Sequence, residues 1–253
     1  MTRREHRTLV DSQFGTVSAN YVASPVHAQG PDLEQLVGIV SGHGDARAID
    51  LGSGGGHVAF HAAPHLSEIV AYDLSPDMLA AVAKEANERG LSNIRTQHGL
   101  VEHLPFPDAS FDFVFSRYSA HHWRDVPAAL REARRILKSD GQAIFMDAVA
   151  PDSPLVDTWL QSIELLRDPS HVRDYSVAEW RTLLRQAGFE PGGVTLRRLR
   201  LDFASWIARM RTPEPLVQGI RALLAHAPEE VAAHMEIGAD GSFTLDTMTI
   251  RAR

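Results

Sequence analysis

The run Ala48-Ile49-Asp50-Leu51-Gly52-Ser53-Gly54-Gly55-Gly56-His57 constrains this chain most. A short apolar strand with an acid near its end opens into glycines at alternate positions, Gly52, Gly54 and Gly56. Glycine has no Cβ and reaches positive φ without strain, so a ligand can lie directly on such a backbone. A glycine loop between a parallel strand and a helix is where a nucleotide-like cofactor docks in an open α/β sheet. Asp50 stands just ahead of the first glycine, where a dinucleotide enzyme usually has an apolar residue. Counted from Gly52, the third glycine of G-x-G-x-x-G is replaced by His57.

A second acid belongs to the same unit. Glu68-Ile69-Val70-Ala71-Tyr72-Asp73 reads as the next strand, with Asp73 at its carboxyl end. It lies about twenty residues beyond the glycines, the distance at which a βαβ unit brings a carboxylate to the hydroxyls of a ribose. The competing role for Asp73 is N-capping of the next helix. Ser75-Pro76 suits that role better, with proline near the first helical position.

Strand and helix patterns then alternate. A helix over about 32–40 precedes the first strand, 47–51. The second strand is followed by a helix over 76–89 that buries Leu79, Val82, Ala83 and Ala86 and stops at Gly90. Strands follow near 93–98 and 111–115. A helix over 126–138 leads through an Asp140-Gly141 turn into a fifth strand, 142–146. This order implies a parallel sheet with helices on both faces. Beyond Ala150 the rhythm changes. A helix over 153–167 lies in a connecting segment, and Ser176-Val177-Ala178-Glu179 is a capping box opening another. A sixth strand over 194–201, helices over 203–211 and 215–226, and a last strand over 242–251 complete the chain. A late insertion before the last strand is where a pocket lid belongs. The first dozen residues are charged and polar, and a segment from Gln13 to Tyr21 is expected to fold over the sheet edge.

Composition removes several classes of function. The formal net charge of −7 argues against a nucleic acid partner, which calls for a basic surface. The cluster Arg131, Arg134, Arg135 and Lys138 reads instead as a solvated helix face. With no cysteine there is no disulfide, thiolate nucleophile or cysteine zinc site. No apolar stretch follows the charged N-terminal residues and none reaches membrane-spanning length, so no signal peptide or membrane partner is expected, and a cytoplasmic location follows by default. The 253 residues suit one domain.

Five motifs taken in order resemble the class I S-adenosylmethionine (SAM) methyltransferases of the UbiE-like group. They are Asp50-Leu51-Gly52-Ser53-Gly54-Gly55-Gly56, Tyr72-Asp73-Leu74-Ser75, Leu104-Pro105-Phe106-Pro107-Asp108, Phe111-Asp112-Phe113-Val114 and Leu137-Lys138-Ser139-Asp140-Gly141. The tract Ser116-Arg117-Tyr118-Ser119-Ala120-His121-His122-Trp123 resembles the YafE-like branch of that group. The resemblance covers nearly the whole chain. It implies a Rossmann-like α/β fold: a mostly parallel seven-stranded sheet, an antiparallel last strand and helical lid insertions. It divides the single domain into an N-terminal cap at about 12–45, a SAM-binding core at about 46–150, and acceptor-site segments at about 151–175 and 203–241. The cofactor-binding residues it implies are Tyr21, Asp50, Gly52, Ser53, Gly54, Gly56, Asp73, Leu74, Met78, Gly99, Leu100, Val101 and Ser116. Many relatives carry an acid after the third strand that holds the adenine amino group. Leu100 stands there, so apolar packing beside the adenine is expected instead.

The methyl acceptor is less legible, because sites are grafted onto folds. Transfer from SAM is an in-line displacement, and alignment of the reactants supplies roughly 7–11 kcal/mol of the barrier reduction. A base is needed only for an acceptor protonated at neutral pH. His121 and His122 follow the fourth strand at the ligand-binding edge, and either is a candidate base or a holder of an acceptor oxygen. Each is equally readable as a loop histidine bonded to backbone. No metal is expected, since adjacent histidines point apart and no acidic partner is evident. Arg117, Tyr118, His171 and Trp206 are candidate acceptor contacts, with Arg173, Trp159 and Tyr175 in the same segments. Trp180 is a core residue. The expected acceptor is a small, partly aromatic or apolar molecule methylated on oxygen or nitrogen, by a monomer or homodimer. Carbon methylation of a quinone-like ring, a non-catalytic SAM-binding protein and a nicotinamide dehydrogenase are the competing readings. The dehydrogenase is opposed by Asp50, His57 and the late insertion.

Overall fold

The computed structural model describes residues 5–15 and 29–253. The strands are β1 (Arg47–Leu51), β2 (Glu68–Asp73), β3 (Ile94–His98), β4 (Phe111–Arg117), β5 (Leu137–Ala148), β6 (Pro191–Leu201) and β7 (Phe243–Ala252). They form a sheet in the order β3-β2-β1-β4-β5-β7-β6. Neighbours from β3 to β5 pair in parallel, and β7 runs antiparallel to both β5 and β6. Asp50, Asp73, Arg117 and Asp147 therefore all lie within one residue of a carboxyl strand end, on one edge of the sheet.

The helices are α1 (His6–Gly15), α2 (Pro31–Val40), α3 (His57–Ala62), α4 (Pro76–Glu88), α5 (Val126–Ile136), α6 (Pro154–Arg167), α7 (Val177–Gln186), α8 (Phe203–Met210), α9 (Glu214–Ala225) and α10 (Glu229–His234). β1 is buried from Ala48 onward because both faces of the sheet are covered, so its side chains are apolar without alternation. One face packs Leu33, Leu36, Phe60 and Val82 of α2, α3 and α4 against Ile69, Phe113 and Phe115. The other packs Leu130, Ile136 and Trp180 of α5 and α7 against Ile49, Val114 and Phe145. α6 and the late insertion make a third core, in which Ile163, Trp206, Ile220 and Val231 close over Leu201, Phe243 and Leu245. The capping box forms as read: Ser176 Oγ accepts from the Glu179 N–H at 3.2 Å, and the Ser176 N–H donates to Glu179 Oε2 at 2.7 Å.

Several expectations change. Residues 6–15 form α1, although their polarity gives no apolar period; within the expected N-terminal cap, residues 16–28, Tyr21 included, lie outside the described residues, and α2 occupies the later part. The Asp140-Gly141 turn is absorbed into β5, which starts directly after α5 and shifts register between Phe111 and Phe113. A Cβ on Gly141 would stand 2.6 Å from the Leu137 side chain and 2.8 Å from Asp112 O, so this irregularity needs glycine. Met78 rather than Ala83 joins the buried face of α4. α10 went unread because one and a half turns carry too little period to detect. Three members of the basic cluster are paired: Arg135 bridges Glu132 and Asp108, Arg134 Nε donates to Gly188 O, and Lys138, at the start of β5, pairs with Asp112, while Arg131 is exposed.

Candidate active site

A cavity of about 600 Å³ opens along the carboxyl edge of the sheet. That volume lies within the range of small-molecule sites. One end is built on the glycine loop. Gly52 and Ser53 donate their N–H groups to Tyr72 O at 2.8 and 3.0 Å, locking the loop to β2. Gly52 sits at φ 69°, and a Cβ there would fall 1.8 Å from Ser119 Oγ. Gly54 donates its N–H to Asp73 Oδ2 at 2.8 Å, and Ser75 donates its N–H to Asp73 Oδ1 at 2.8 Å. Asp73 thus braces the loop and turns the chain into α4, while the Ser75 hydroxyl is buried without a hydrogen bond. The expected Ser75 side-chain cap does not form.

Asp50 is 1% exposed, and neither carboxylate oxygen has a hydrogen-bond partner. Burial, then the charge of Asp73, raises its pKa to about 8, against the opposing pull of Arg117. A buried carboxyl group without partners is costly unless a ligand completes it. Leu74, Met78, Gly99, Leu100 and Val101 line the same end, together with Ser53. Gly99 leaves room for Tyr72, whose hydroxyl donates to Leu100 O at 3.2 Å.

Two expected members of this end are elsewhere. Gly56 does not line the cavity. It is the N-cap of α3 at φ 78°, and a Cβ there would stand 2.8 Å from Val82, so its smallness serves the packing of α3 on α4. Ser116 is also absent from the wall; its hydroxyl is buried without a partner inside the sheet.

The other end of the cavity is walled by the loop after β4 and by the late insertion. Arg117 Nε donates to Asp32 Oδ2 at 2.5 Å, and its guanidinium lies 4.8 Å from the Tyr118 ring centre. Both Arg117 and Tyr118 reach the wall. His121 and His122 occupy a short 3₁₀ turn, Ala120–His122, and both line the cavity. His121 Nδ1 meets Asp147 Oδ1 at 2.7 Å, and Asp174 Oδ1 lies 3.9 Å from the same nitrogen. Asp147 is itself fixed by the N–H groups of Ala148 (2.9 Å) and Ala120 (3.1 Å). His122 Nδ1 lies 3.2 Å from Ser170 O, and its Nε2 is 3.9 Å from Asp168 Oδ2.

Electrostatics separate the neighbouring groups. Burial disfavours a charge on His121, but Asp147 outweighs it and the pKa rises to about 9. Burial and the His121 charge bring His122 down to about 4. Burial lifts Asp174 to about 8 despite His121. His171 does not line the cavity. It sits behind His121, ring centres 5.7 Å apart, with Nε2 bound to Gln161 Oε1 at 2.9 Å, and burial drops its pKa to about 2. Arg173 is likewise committed, to Asp157 and Glu179. Of Trp159, Tyr175 and Trp206, only Trp206 reaches the wall, edge-on to Phe243 at 4.9 Å. Trp159 donates to Leu223 O, and Tyr175 packs on Trp180, which is core as expected.

Comparison with known proteins fixes the family. The model of a methyltransferase domain matches residues 49–145. The YafE protein of Escherichia coli is 50% identical over 197 residues, covering 78% of this chain and 95% of that protein. The YcgJ methyltransferase of Bacillus subtilis is 35% identical over 87% of each chain. Its crystal structure matches with a TM-score of 0.84, over 87% of this chain and 97% of that one. A putative methyltransferase of Bacillus halodurans gives 0.85 at 31% identity, over 88% and 99%. The chain belongs to the SAM-dependent methyltransferases.

Reading this methyltransferase from sequence missed several residues of the cavity. Gly55 and His57 line the glycine end. Asp147 had a usable signal, since it ends β5 as Asp50 and Asp73 end β1 and β2. Asp174 and Asp168 had none: the connection after α6 carries them to His121 and His122 only in three dimensions, where Val172 and Arg173 donate their N–H groups to His121 O at 2.8 and 3.2 Å. His6 and Arg7 of α1 also reach the wall, with His6 Nε2 donating to Ser170 O at 2.9 Å.

Proposed function

We propose that SAM occupies the glycine end of the cavity and that a small acceptor occupies the end walled by His121, His122, Tyr118 and Trp206. The orphaned Asp50 carries this reading. Its two buried oxygens without hydrogen bonds match the cationic and hydrogen-bonding amino-acid part of SAM better than a neutral ligand. Asp73 accepts the Gly54 and Ser75 N–H groups at the end of β2, and a carboxylate in that place suits the hydroxyls of a ribose. Leu100 and Val101 offer an apolar wall for adenine, with backbone rather than side-chain polarity. SAM supplies an electrophilic methyl group when bound; the chain's task is to align an acceptor with it.

Oxygen or nitrogen methylation is favoured, because two imidazoles stand at the acceptor end to direct a heteroatom, and His122, the uncharged one, is able to take its proton. The wall there is partly apolar, with Leu201, Met210 and Leu245 beside Trp206, which suits a ring-bearing molecule. Among partial matches, nocamycin O-methyltransferase of Saccharothrix syringae is 32% identical over 51% of its length, which agrees with an oxygen acceptor. A second reading, carbon methylation of a quinone-like ring, draws on a demethylmenaquinone methyltransferase of Chlorobaculum parvum, 30% identical over 47% of its length.

The deciding experiment is mass spectrometry of ligand released from purified protein, followed by SAM calorimetry on the parent and Asp50→Asn. Released SAM or S-adenosylhomocysteine, with weaker SAM binding in the variant, supports the reading. A released nicotinamide, or equal affinity in both proteins, refutes it. Methyl transfer to a candidate acceptor separates an enzyme from a binding protein.

A further inference from the structure

The expectation of no metal rested on histidines pointing apart and on the absence of an acidic partner. Neither premise holds in the folded chain. The rings of His121 and His122 lie 4.3 Å apart, and two buried aspartates converge on His121. One ligand atom from each of His121, Asp147 and Asp174 falls within 4.8 Å of the others. They come from three elements: the turn after β4, the carboxyl end of β5, and the connection between α6 and α7.

The hydrogen-bond pattern singles out Asp174. Asp147 is satisfied by two backbone N–H groups and His121. Asp174 is 2% exposed, its Oδ2 accepts no hydrogen bond, and its Oδ1 stands 3.9 Å from His121 Nδ1. It is held there by its surroundings rather than by a donor. Gln161 Oε1 accepts from the Asp174 N–H at 3.1 Å, and Gln161 Nε2 donates to Asp174 O at 2.9 Å. The connection is pinned to His121 O by Val172 and Arg173. Fixing a carboxylate by its backbone while leaving a buried oxygen without a donor is what support around a metal ligand does.

We propose that His121, Asp147 and Asp174 bind one divalent first-row transition ion, open toward the acceptor end of the cavity. One imidazole and two carboxylates suit manganese, iron or zinc; a soft-metal site would need thiolates, and the chain has no cysteine. Three protein ligands leave positions for an outside oxygen, as catalytic metal sites do. His121 and Asp174 both line the cavity, so those positions face the acceptor end. The ligand this implies is an acceptor with a hydroxyl or adjacent oxygens able to coordinate the ion. That last step rests on the methyl-transfer reading; the ion site itself does not.

The test begins with chelator-treated protein. Mn²⁺, Co²⁺ and Zn²⁺, each alone, are titrated into it by calorimetry, and the visible absorbance of the Co²⁺ form is recorded. The expected result is one ion per chain for at least one metal. Its affinity should fall at least about ten-fold in Asp174→Asn and Asp147→Asn, since even loss of a residue that only supports a ligand costs about 10–100-fold. Asp152→Asn, on the exposed surface, should bind as the parent does. Thermal melts confirm that each variant is folded, and His121→Gln replaces either aspartate variant that is not. No stoichiometric binding by the parent overturns the proposal, as does binding undiminished in the folded variants. SAM is titrated in parallel: SAM binding without ion binding sinks this inference alone, and ion binding without SAM binding sinks the methyl-transfer reading alone.

Discussion

The Gly54 N–H donates to Asp73 Oδ2 at 2.8 Å, tying the glycine loop to the end of the neighbouring strand. The same carboxylate receives the Ser75 N–H. Asp73 therefore shapes the loop, in addition to the ribose contact proposed for it. Asp73→Ala should weaken SAM binding by roughly 1.5–3 kcal/mol, the range for hydrogen bonds to a charged group. Calorimetry on the variant checks this, and unchanged affinity refutes the assignment.

Asp50 sets a pH dependence. Its pKa in the fold is about 8, against 3.8 for an ordinary aspartate, so the native state holds a proton that the unfolded state releases. Stability from this group is present at low pH and is lost as pH rises from about 4 through about 8. A ligand cation lowers that pKa, so SAM binding expels the proton. Affinity should then rise with pH up to about 8 and level off above it. Calorimetry in buffers of different ionisation heat counts the proton, and Asp50→Asn should flatten the profile. A parental profile already flat below pH 8 contradicts the assignment.

Gly99 and Tyr72 share one space. A Cβ on Gly99 would stand 1.9 Å from the Tyr72 hydroxyl and 2.7 Å from its Cζ. Gly99→Ala should destabilise the fold by roughly 1–3 kcal/mol through overpacking. Adding Tyr72→Phe removes the nearer atom and should recover part of that loss. Denaturant melts of both single variants and the double variant measure the coupling; purely additive effects contradict it.

Arg117 and Asp32 form a pair with side chains only 6% and 10% exposed. Removing one member of such a pair leaves a buried charge without its counter-ion. Arg117→Ala should cost about 3–5 kcal/mol, more than a surface pair would. Asp32→Leu combined with Arg117→Met should recover most of it. Thermal unfolding reads both outcomes, and a loss under about 1 kcal/mol in the single variant would mean that the pair is effectively solvated.

The sheet, its chain order and the glycine end of the cavity were legible in the sequence because local rules govern them. Apolar strands separated by amphipathic helices admit few topologies, and a short strand–turn–helix fixes where its acids stand. Asp50 and Asp73 were found that way. Gly56 and Ser116 were misplaced because a motif gives a residue's position in the chain but not the direction it faces: one meets Val82, the other the interior of the sheet. The acceptor end was decided only in three dimensions. Asp147 and Asp174 lie 26 and 53 residues beyond His121 and reach it through the ends of different elements, a convergence that no local spacing encodes. His171, three residues before Asp174, was turned behind the wall, with its Nε2 on Gln161. Near-neighbour patterns and backbone sterics determine the cofactor platform. The chemistry facing the acceptor depends on how long connections pack across the sheet edge, where burial and neighbouring charges give His121 and His122 opposite protonation.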